Sequence, residues 1–136
     1  MTVQEMPDAM ATNLAPLATL IDGLQICAFI NGPATPPSID MWPADPFQEG
    51  AGFGTKEIRC WWRVRARVAT SDLEQASRLL YRMLDTTDPA SVEAALAVGG
   101  LATIDDRHGN VSGLRTYSDD PARDMIGCEW TVGVWT

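Results

Sequence analysis

The chain has 136 residues, 46% hydrophobic and 21% charged, which is the size and balance of one globular domain with a single core, residues 1–136. Its formal net charge of −8 excludes a surface built mainly to hold nucleic acid, because such surfaces cluster Lys and Arg. No stretch approaches the roughly 20 apolar residues of a membrane span, and no basic and then apolar leader opens the sequence. We therefore expect a soluble, unexported chain that has no membrane partner.

The residues that bind metals or act as nucleophiles show no recognisable arrangement. The cysteines are three and widely spaced, at Cys27, Cys60 and Cys128. An odd number without a CxxC pair, beside the single histidine His108, indicates neither a disulfide framework nor a zinc site. The acidic pairs at 105–106 and 119–120 lie in turn-like sequence and are interpreted as solvated turns. We expect reduced thiols, no cofactor, no metal and no catalytic site.

The first elements are a helix and a strand. Thr2 and Glu5 have the spacing of a capping box, which predicts a helix beginning near them. Four apolar residues then recur at helical spacing, Met6, Met10, Leu14 and Leu17. Pro16 is expected to end or kink this helix, and residues 24–30 read as a first, buried strand.

Residues 31–54 contain five prolines and four glycines, which predict a long irregular loop with a short strand only at 38–42. A loop of this length inside a compact domain is usually functional. It contains three large aromatic residues, Trp42, Phe47 and Phe53. Because such side chains are unfavourable in water, we predict that they dock onto a partner protein.

The clearest strand spans residues 57–70, where apolar residues alternate with Arg59, Trp61, Arg63, Arg65 and Arg67. One face is predicted to be core. The other, with Trp135, is predicted to contact a neighbouring subunit or to face a channel through which DNA passes. The alternative is that the arginines cover a solvent face and meet Glu129 across a strand pair, with Trp61 stacked on neighbouring arginines.

The second half of the chain alternates helices and strands. A capping box at 71–74 opens a helix whose apolar stripe is Leu73, Ala76, Leu80 and Met83 or Leu84. Asp88-Pro89 is predicted to open another helix, which Gly99-Gly100 ends. Residues 101–105 and 113–118 are predicted to form a hairpin, and residues 126–134 a last strand. This order predicts an α+β fold with helices packed on one face of a mostly antiparallel sheet.

Several short segments of the sequence are similar to segments of the tail terminator proteins of bacteriophages with long, non-contractile tails, especially those infecting actinobacteria. They are Gly23-Leu24, Pro36-Pro37 before Ile39, the glycine-rich turn before the long strand, the helix with Ala76 and Leu80, residues 89–96, Gly99-Gly100 and residues 127–132. The resemblance covers the chain from about Gly23 to Trp135. Two departures from the family pattern are Asp40-Met41-Trp42, where a tyrosine usually ends the segment, and the arginines of a strand that is usually rich in valine.

This resemblance implies a virion protein that is assembled in the host cytoplasm and lies in the neck, at the top of the tail. Copies would close into a homohexameric ring on the last ring of the major tail tube protein and would dock to the head-tail connector or stopper protein. DNA would pass through the lumen without sequence-specific binding. Two alternatives stay open: another neck protein, and a standalone α+β domain that binds a small molecule or peptide.

Overall fold

The computed structural model of the chain describes residues 1–31, 36–50, 58–104, 114–117 and 125–136. The helices are α1 (Met6–Leu14), α2 (Leu73–Leu84) and α3 (Val92–Leu96), with 3-10 turns at Val3–Glu5, Ala15–Thr19, Thr70–Asp72 and Val98–Gly100. The strands are β1 (Gln25–Ile26), β2 (Ser38–Gly50), β3 (Ile58–Ala69), β4 (Ala102–Ile104), β5 (Arg115–Tyr117) and β6 (Met125–Trp135).

The described strands form one six-stranded mixed sheet in the order β1-β2-β3-β6-β4, with β5 also paired to β6. Only β1 and β2 run parallel, and the other described pairs are antiparallel. The helices supply buried residues to the core on one face of this sheet, which we call the inner face. The expected α+β class is therefore confirmed.

Helix boundaries follow the capping chemistry of the sequence. The predicted capping box of Thr2 and Glu5 is present, and the amide of Thr2 donates to Glu5 Oε2 at 2.8 Å. At α2 the cap is Asp72, whose carboxylate accepts from the amide of Gln75. Ser91, not Asp88, caps α3, so this helix begins later than predicted. Gly99 adopts a φ of 69°, as a helix-ending glycine does.

The core of the inner face combines the predicted helix and strand positions. Met6, Met10, Leu14 and Leu17 are all buried there, together with Ala76, Leu80 and Met83 of α2 and the even-numbered residues of β3 and β6 from Cys60 to Val68 and from Ile126 to Val134. Leu73, which was expected in the same stripe, is 59% exposed. It lies at the first position of α2, before the inward-facing turns begin.

The expected loop at 31–54 is wrong over residues 43–50, because β2 continues past the predicted short strand at 38–42 and runs from Ser38 to Gly50. Its prolines are tolerated because β3 is the partner on one side, while on the other side β1 reaches only Ser38 and Ile39 among the described residues. A shift in register between Pro43 and Gln48 accommodates the intervening residues. The strand is thus an edge strand over most of its length.

Two smaller expectations are also corrected. The first strand is limited to Gln25–Ile26, and Phe29 and Ile30, which were predicted to be buried in it, are exposed. The predicted hairpin is replaced by two short strands, β4 and β5, that pair with different parts of β6. In the described part of the chain they lie one after the other along the same side of β6.

Candidate functional site

The face of the sheet opposite the helices, which we call the outer face, carries most of the unusual chemistry of this chain. Strand register places there Ser38, Asp40 and Trp42 of β2, Arg59, Trp61, Arg63, Arg65 and Arg67 of β3, Arg115 and Tyr117 of β5, and Glu129, Thr131 and Trp135 of β6. It is held together by ion pairs and by arginines stacked on aromatic rings.

Asp40 is the centre of this layer and is completely buried. Its carboxylate accepts two hydrogen bonds from the Arg65 guanidinium, at 2.9 and 2.6 Å, and Arg67 Nη2 lies 3.7 Å away. Asp40 Oδ2 also accepts a hydrogen bond from the backbone amide of Asn31, while Arg67 Nη2 donates to the backbone carbonyl of Asn31 at 2.6 Å. The segment that precedes β2 is therefore fastened to the outer face.

Arg65 and Arg67 do not lie on a surface that a lumen or a neighbour could reach in the isolated chain. Arg65 is 8% exposed and Arg67 is 0% exposed, because both meet Asp40. A buried charge is tolerable only when it is paired and hydrogen-bonded, and this requirement explains the three-residue cluster. In the isolated chain these two arginines support the outer face from within, and the contact role expected for them stays a prediction.

Glu129 is the second acidic centre. Glu129 Oε2 forms ion pairs with Arg63 Nη2 at 3.1 Å and with Arg115 Nη1 at 2.5 Å. Arg63 Nη1 also donates a hydrogen bond to Thr131 Oγ1 at 2.6 Å. The hydrogen bond that Arg115 donates to Glu129, followed by the attraction of the negative charge of Glu129, raises the pKa of Arg115. The sequence alternative in which Glu129 meets the arginines across a strand pair is therefore confirmed for Arg63. Arg115, whose side chain is 56% exposed, was not foreseen in this cluster.

Arg59 lies against two tryptophans. Its guanidinium carbon is 4.1 Å from the ring centre of Trp61 and 5.6 Å from that of Trp135, and Nη2 donates to Thr103 Oγ1 at 2.6 Å. A Cβ at Gly133 would lie 2.5 Å from Arg59 Nε, so only glycine leaves room for this arrangement. The expected stacking of Trp61 on an arginine is confirmed, and Trp135 remains 43% exposed.

A second arginine lies between aromatic rings at the other end of the outer face. The guanidinium carbon of Arg65 is 4.9 Å from the ring centre of Trp42 and 5.4 Å from that of Tyr117. Burial, followed by the charge of Glu129, raises the pKa of Tyr117 to about 12, so its hydroxyl stays protonated at neutral pH. Trp42 is thus half-buried over Arg65 and is not part of a free loop.

The three residues expected to dock onto the tube or connector have different positions. Trp42 lies on the outer face. Phe47 packs edge-to-face on Trp62, with ring centres 5.0 Å apart, and joins the rim of the hydrophobic core. Its position explains why an aromatic residue follows the prolines of β2, and it makes Phe47 a packing residue of the isolated chain. Phe53 lies outside the described residues, as do His108 and the two acidic pairs.

The described residues show little that resembles a catalytic or metal site. No group of three His, Cys, Asp or Glu within the described ranges could hold a metal ion. An open hollow beside the start of α2 is lined by Pro37, Val68, Asp72 and Leu79, and its carboxylate is already the cap of that helix. Burial raises the pKa of the Cys60 thiol, and it raises the pKa of the Cys128 thiol to about 12. Neither cysteine is therefore an activated thiol.

No protein-family model matches the chain, and no curated protein matches it significantly. None of the described helices has the length and apolar character needed to span a membrane.

Sequence reasoning found the arginines and tryptophans of the outer face but missed three of their partners, Asp40, Arg115 and Tyr117. A usable signal existed for Asp40, because it alternates with the core residues Ile39 and Met41 and so belongs to the same face as the arginines. For Arg115 and Tyr117 the strand of three residues was too short to reveal which part of β6 it joins.

Proposed function

We propose that this chain is a structural virion protein, the tail terminator of a bacteriophage with a long non-contractile tail. In this proposal, copies form a homohexameric ring in the neck that caps the head-proximal end of the tail tube. The ring stops growth of the tube protein and binds the head-tail connector or stopper, while DNA passes through its lumen. The chain acts by binding other proteins and catalyses no reaction.

The outer face is the observation that carries the proposal. Trp, Tyr and Arg are the residues that dominate protein interfaces, and this face concentrates three tryptophans, a tyrosine and five arginines, of which Arg65 and Arg67 are buried and support the others from within. Trp135 and Arg115 reach solvent, at 43% and 56% exposure, above a fixed layer of ion pairs. Such a preorganised, partly exposed surface suits a subunit contact, because little side-chain freedom is left to lose on binding.

The resemblance to tail terminators adds the identity of the partners, and the α+β sheet with helices on one face is compatible with it. Another neck protein, a connector or stopper subunit, is the second candidate because the same outer face would serve it equally well. The two candidates differ in what happens to the tail tube when the protein is missing.

The test is deletion of the gene from the phage followed by electron microscopy of the particles. A tail terminator predicts tubes that exceed the normal length and carry no head, and in normal particles a single ring of this chain at the top of the tube. Tubes of normal length that lack heads would indicate a connector or stopper instead. Absence of the chain from normal particles would refute both.

Complementation of the deletion then tests the outer face. Trp135→Ala removes an exposed ring from the outer face and is expected to reduce joined particles at least about tenfold, as loss of an interface hot spot of about 2 kcal/mol would. Tyr81→Ala, which removes a 56% exposed ring from α2, is the matched control and should complement as wild type does. Equal complementation by both variants would exclude Trp135 from the contact.

A further inference from the structure

Phe29 and Ile30 form an exposed apolar pair at the edge of the sheet. They lie in the segment that follows β1, and their exposed fractions are 66% and 60%. No other two of the exposed large hydrophobic residues in the described ranges are adjacent along the chain. Single exposed apolar residues are normal on a protein surface, whereas contiguous exposed apolar area is typical of a contact site.

The backbone is fixed on both sides of this apolar pair. The Cys27 amide donates to the Ile39 carbonyl at 2.8 Å. The Asn31 amide donates to Asp40 at 3.0 Å, and the Asn31 carbonyl accepts from Arg67 at 2.6 Å. The Asn31 side chain also donates to Cys27 Sγ at 3.4 Å, which ties the two ends of the segment together. The apolar pair is therefore held on a short fixed loop, and little backbone freedom is left to lose on binding.

The hollow beside the start of α2 is a second apolar feature, on the helical side of the sheet. Its volume is about 380 Å³, and its polar lining is Ser71, Asp72 and Gln75. Its apolar lining consists of Pro37, Val68, Ala69, Ala76 and Leu79. An apolar cavity of about 150 Å³ holds a benzene ring, so this hollow has room for a phenyl ring and a branched aliphatic side chain. The Asp72 carboxylate already accepts from the Gln75 amide and calls for no charged ligand.

The apolar pair does not fill the hollow of its own copy. Asn31 is bonded to outer-face side chains, whereas residues of α2 line the hollow on the helical side, and Phe29 remains largely exposed. A second copy of the chain supplies both parts of a complementary contact, a projecting apolar pair and a hollow large enough to hold it. Because the two parts lie at different places on the surface, this contact is heterologous, and its repetition closes a ring or extends a filament.

We propose that the apolar pair of one copy of this chain inserts into the hollow of the next copy. This inference deepens the proposed function by naming a subunit contact, and it rests on that function only in taking copies of the chain to assemble. Aromatic and aliphatic anchors that fill a pocket are typical interface hot spots. Two side chains bury far less than the roughly 1,200 Å² of a stable interface, so a single contact is weak. A closed ring, in which every copy makes the contact twice, stabilises it.

Photo-cross-linking of the full chain tests this contact at the level of residues. A benzophenone side chain replaces Phe29 and keeps an aromatic group at that position. This chain is mixed with isotope-labelled wild type at the highest soluble concentration, irradiated, digested and analysed by mass spectrometry. We expect cross-links from position 29 to residues 68–79, which contain most of the hollow lining. The isotope label distinguishes cross-links between copies from those within one copy.

Blocking the hollow of the labelled copy should remove these cross-links. Gln75→Trp places a large ring at the exposed side of the hollow and keeps the backbone amide that donates to Asp72. We expect the cross-link yield to fall at least about tenfold, as loss of a hot-spot contact would. Gln75→Ala leaves the hollow open, and Tyr81→Trp places the same ring elsewhere on α2, so both controls should cross-link as wild type does. Circular dichroism and thermal melting establish that each variant is folded.

Absence of cross-links between copies would overturn the proposed contact, and so would cross-links that Gln75→Trp leaves unchanged. Cross-links confined to one copy would overturn it as well, because the apolar pair would then reach its own hollow. If the benzophenone at position 29 prevents folding, position 30 carries it instead. Cross-links that Gln75→Trp removes, combined with normal tube length in the deletion, would retain this contact and refute the terminator role. Overlong tubes without these cross-links would refute the contact alone.

Discussion

The two faces of the same sheet are stabilised in different ways. Along β3, inward-facing residues such as Val64 are packed among helix side chains, while outward-facing Arg65 and Arg67 are nearly as buried but are surrounded by charge and aromatic rings. Apolar packing tolerates exchange of similar shapes, whereas a buried ion pair is costly when one partner is lost. The inner face therefore supplies stability, and the outer face fixes particular side chains in place.

Among the substitutions that test this difference between the faces, removal of the Asp40 carboxylate should lower the free energy of unfolding most. Asp40→Ala removes the buried carboxylate that accepts from Arg65 and lies 3.7 Å from Arg67 Nη2, and we expect this loss of counter-charge to lower the free energy of unfolding by about 3–5 kcal/mol, measured by urea denaturation. Asp45→Ala, at an exposed position of the same strand, should change it by less than about 0.5 kcal/mol. Equal effects of the two substitutions would show that the outer cluster stabilises nothing.

A core truncation gives the corresponding measurement for the inner face. Leu80→Ala removes a completely buried side chain of α2, and we expect a loss of about 3 kcal/mol. Leu73→Ala, on the same helix but 59% exposed, should lose less than about 0.5 kcal/mol. The effect of Leu80→Ala should be the same at low and high salt, and a strong salt dependence would contradict the division between the faces.

Steric crowding of the outer face is tested at Gly133. A Cβ there would lie 2.5 Å from Arg59 Nε, so Gly133→Ala should displace the flexible end of this side chain from Trp61 and lower the free energy of unfolding by about 0.5–1 kcal/mol, the value of the lost stacking. With Arg59→Ala already present, the same substitution should cost much less, because nothing is left to displace. Additive effects in this double-mutant cycle would exclude the proposed clash.

The expected effect that is smallest at neutral pH is a pH dependence that involves the inner face. Burial raises the pKa of Cys128 from 9.0 to about 12, so the folded state keeps a proton that the unfolded state releases. Stability from this group is fully present below about pH 9 and is lost as pH rises toward 12, by up to about 1.4 kcal/mol per pH unit. Cys128→Ala should therefore lose less stability than wild type between about pH 8 and about pH 10.

Tyr117, whose pKa is also raised to about 12, should contribute to the alkaline loss that remains in Cys128→Ala. Identical pH profiles of the wild type and Cys128→Ala in urea denaturation would show that this thiol is not responsible.

The elements that sequence reasoning predicted well are those in which one periodicity dominates. The stripe of α2 at Ala76, Leu80 and Met83 and the alternation along β3 were read directly from the sequence, and both are present. The second part of β2, residues 43–50, was missed because prolines were weighed as breakers of regular structure, although an edge strand does not need every amide as a donor. Only the position of the strand in the sheet settles which rule applies, and that position is a tertiary property.

The outer cluster shows the same limit at the level of side chains. Alternation placed four arginines on one face, but whether an arginine meets water, a neighbour or a carboxylate depends on strand register. Asp40 lies opposite Arg65 in one strand pair, and Glu129 lies opposite the same residue in the next. No local pattern in the sequence encodes these pairings.

The position of β6 has a consequence for folding speed. This strand lies between β3 on one side and both β4 and β5 on the other, yet the residues of β3 with which it pairs precede it by about half of the chain. Such non-local pairing is slow to form, because a long loop must close before the new contacts stabilise it. We expect the β2–β3 pair to form early and β6 to insert late, so that a short-lived intermediate has β3 unpaired along one side.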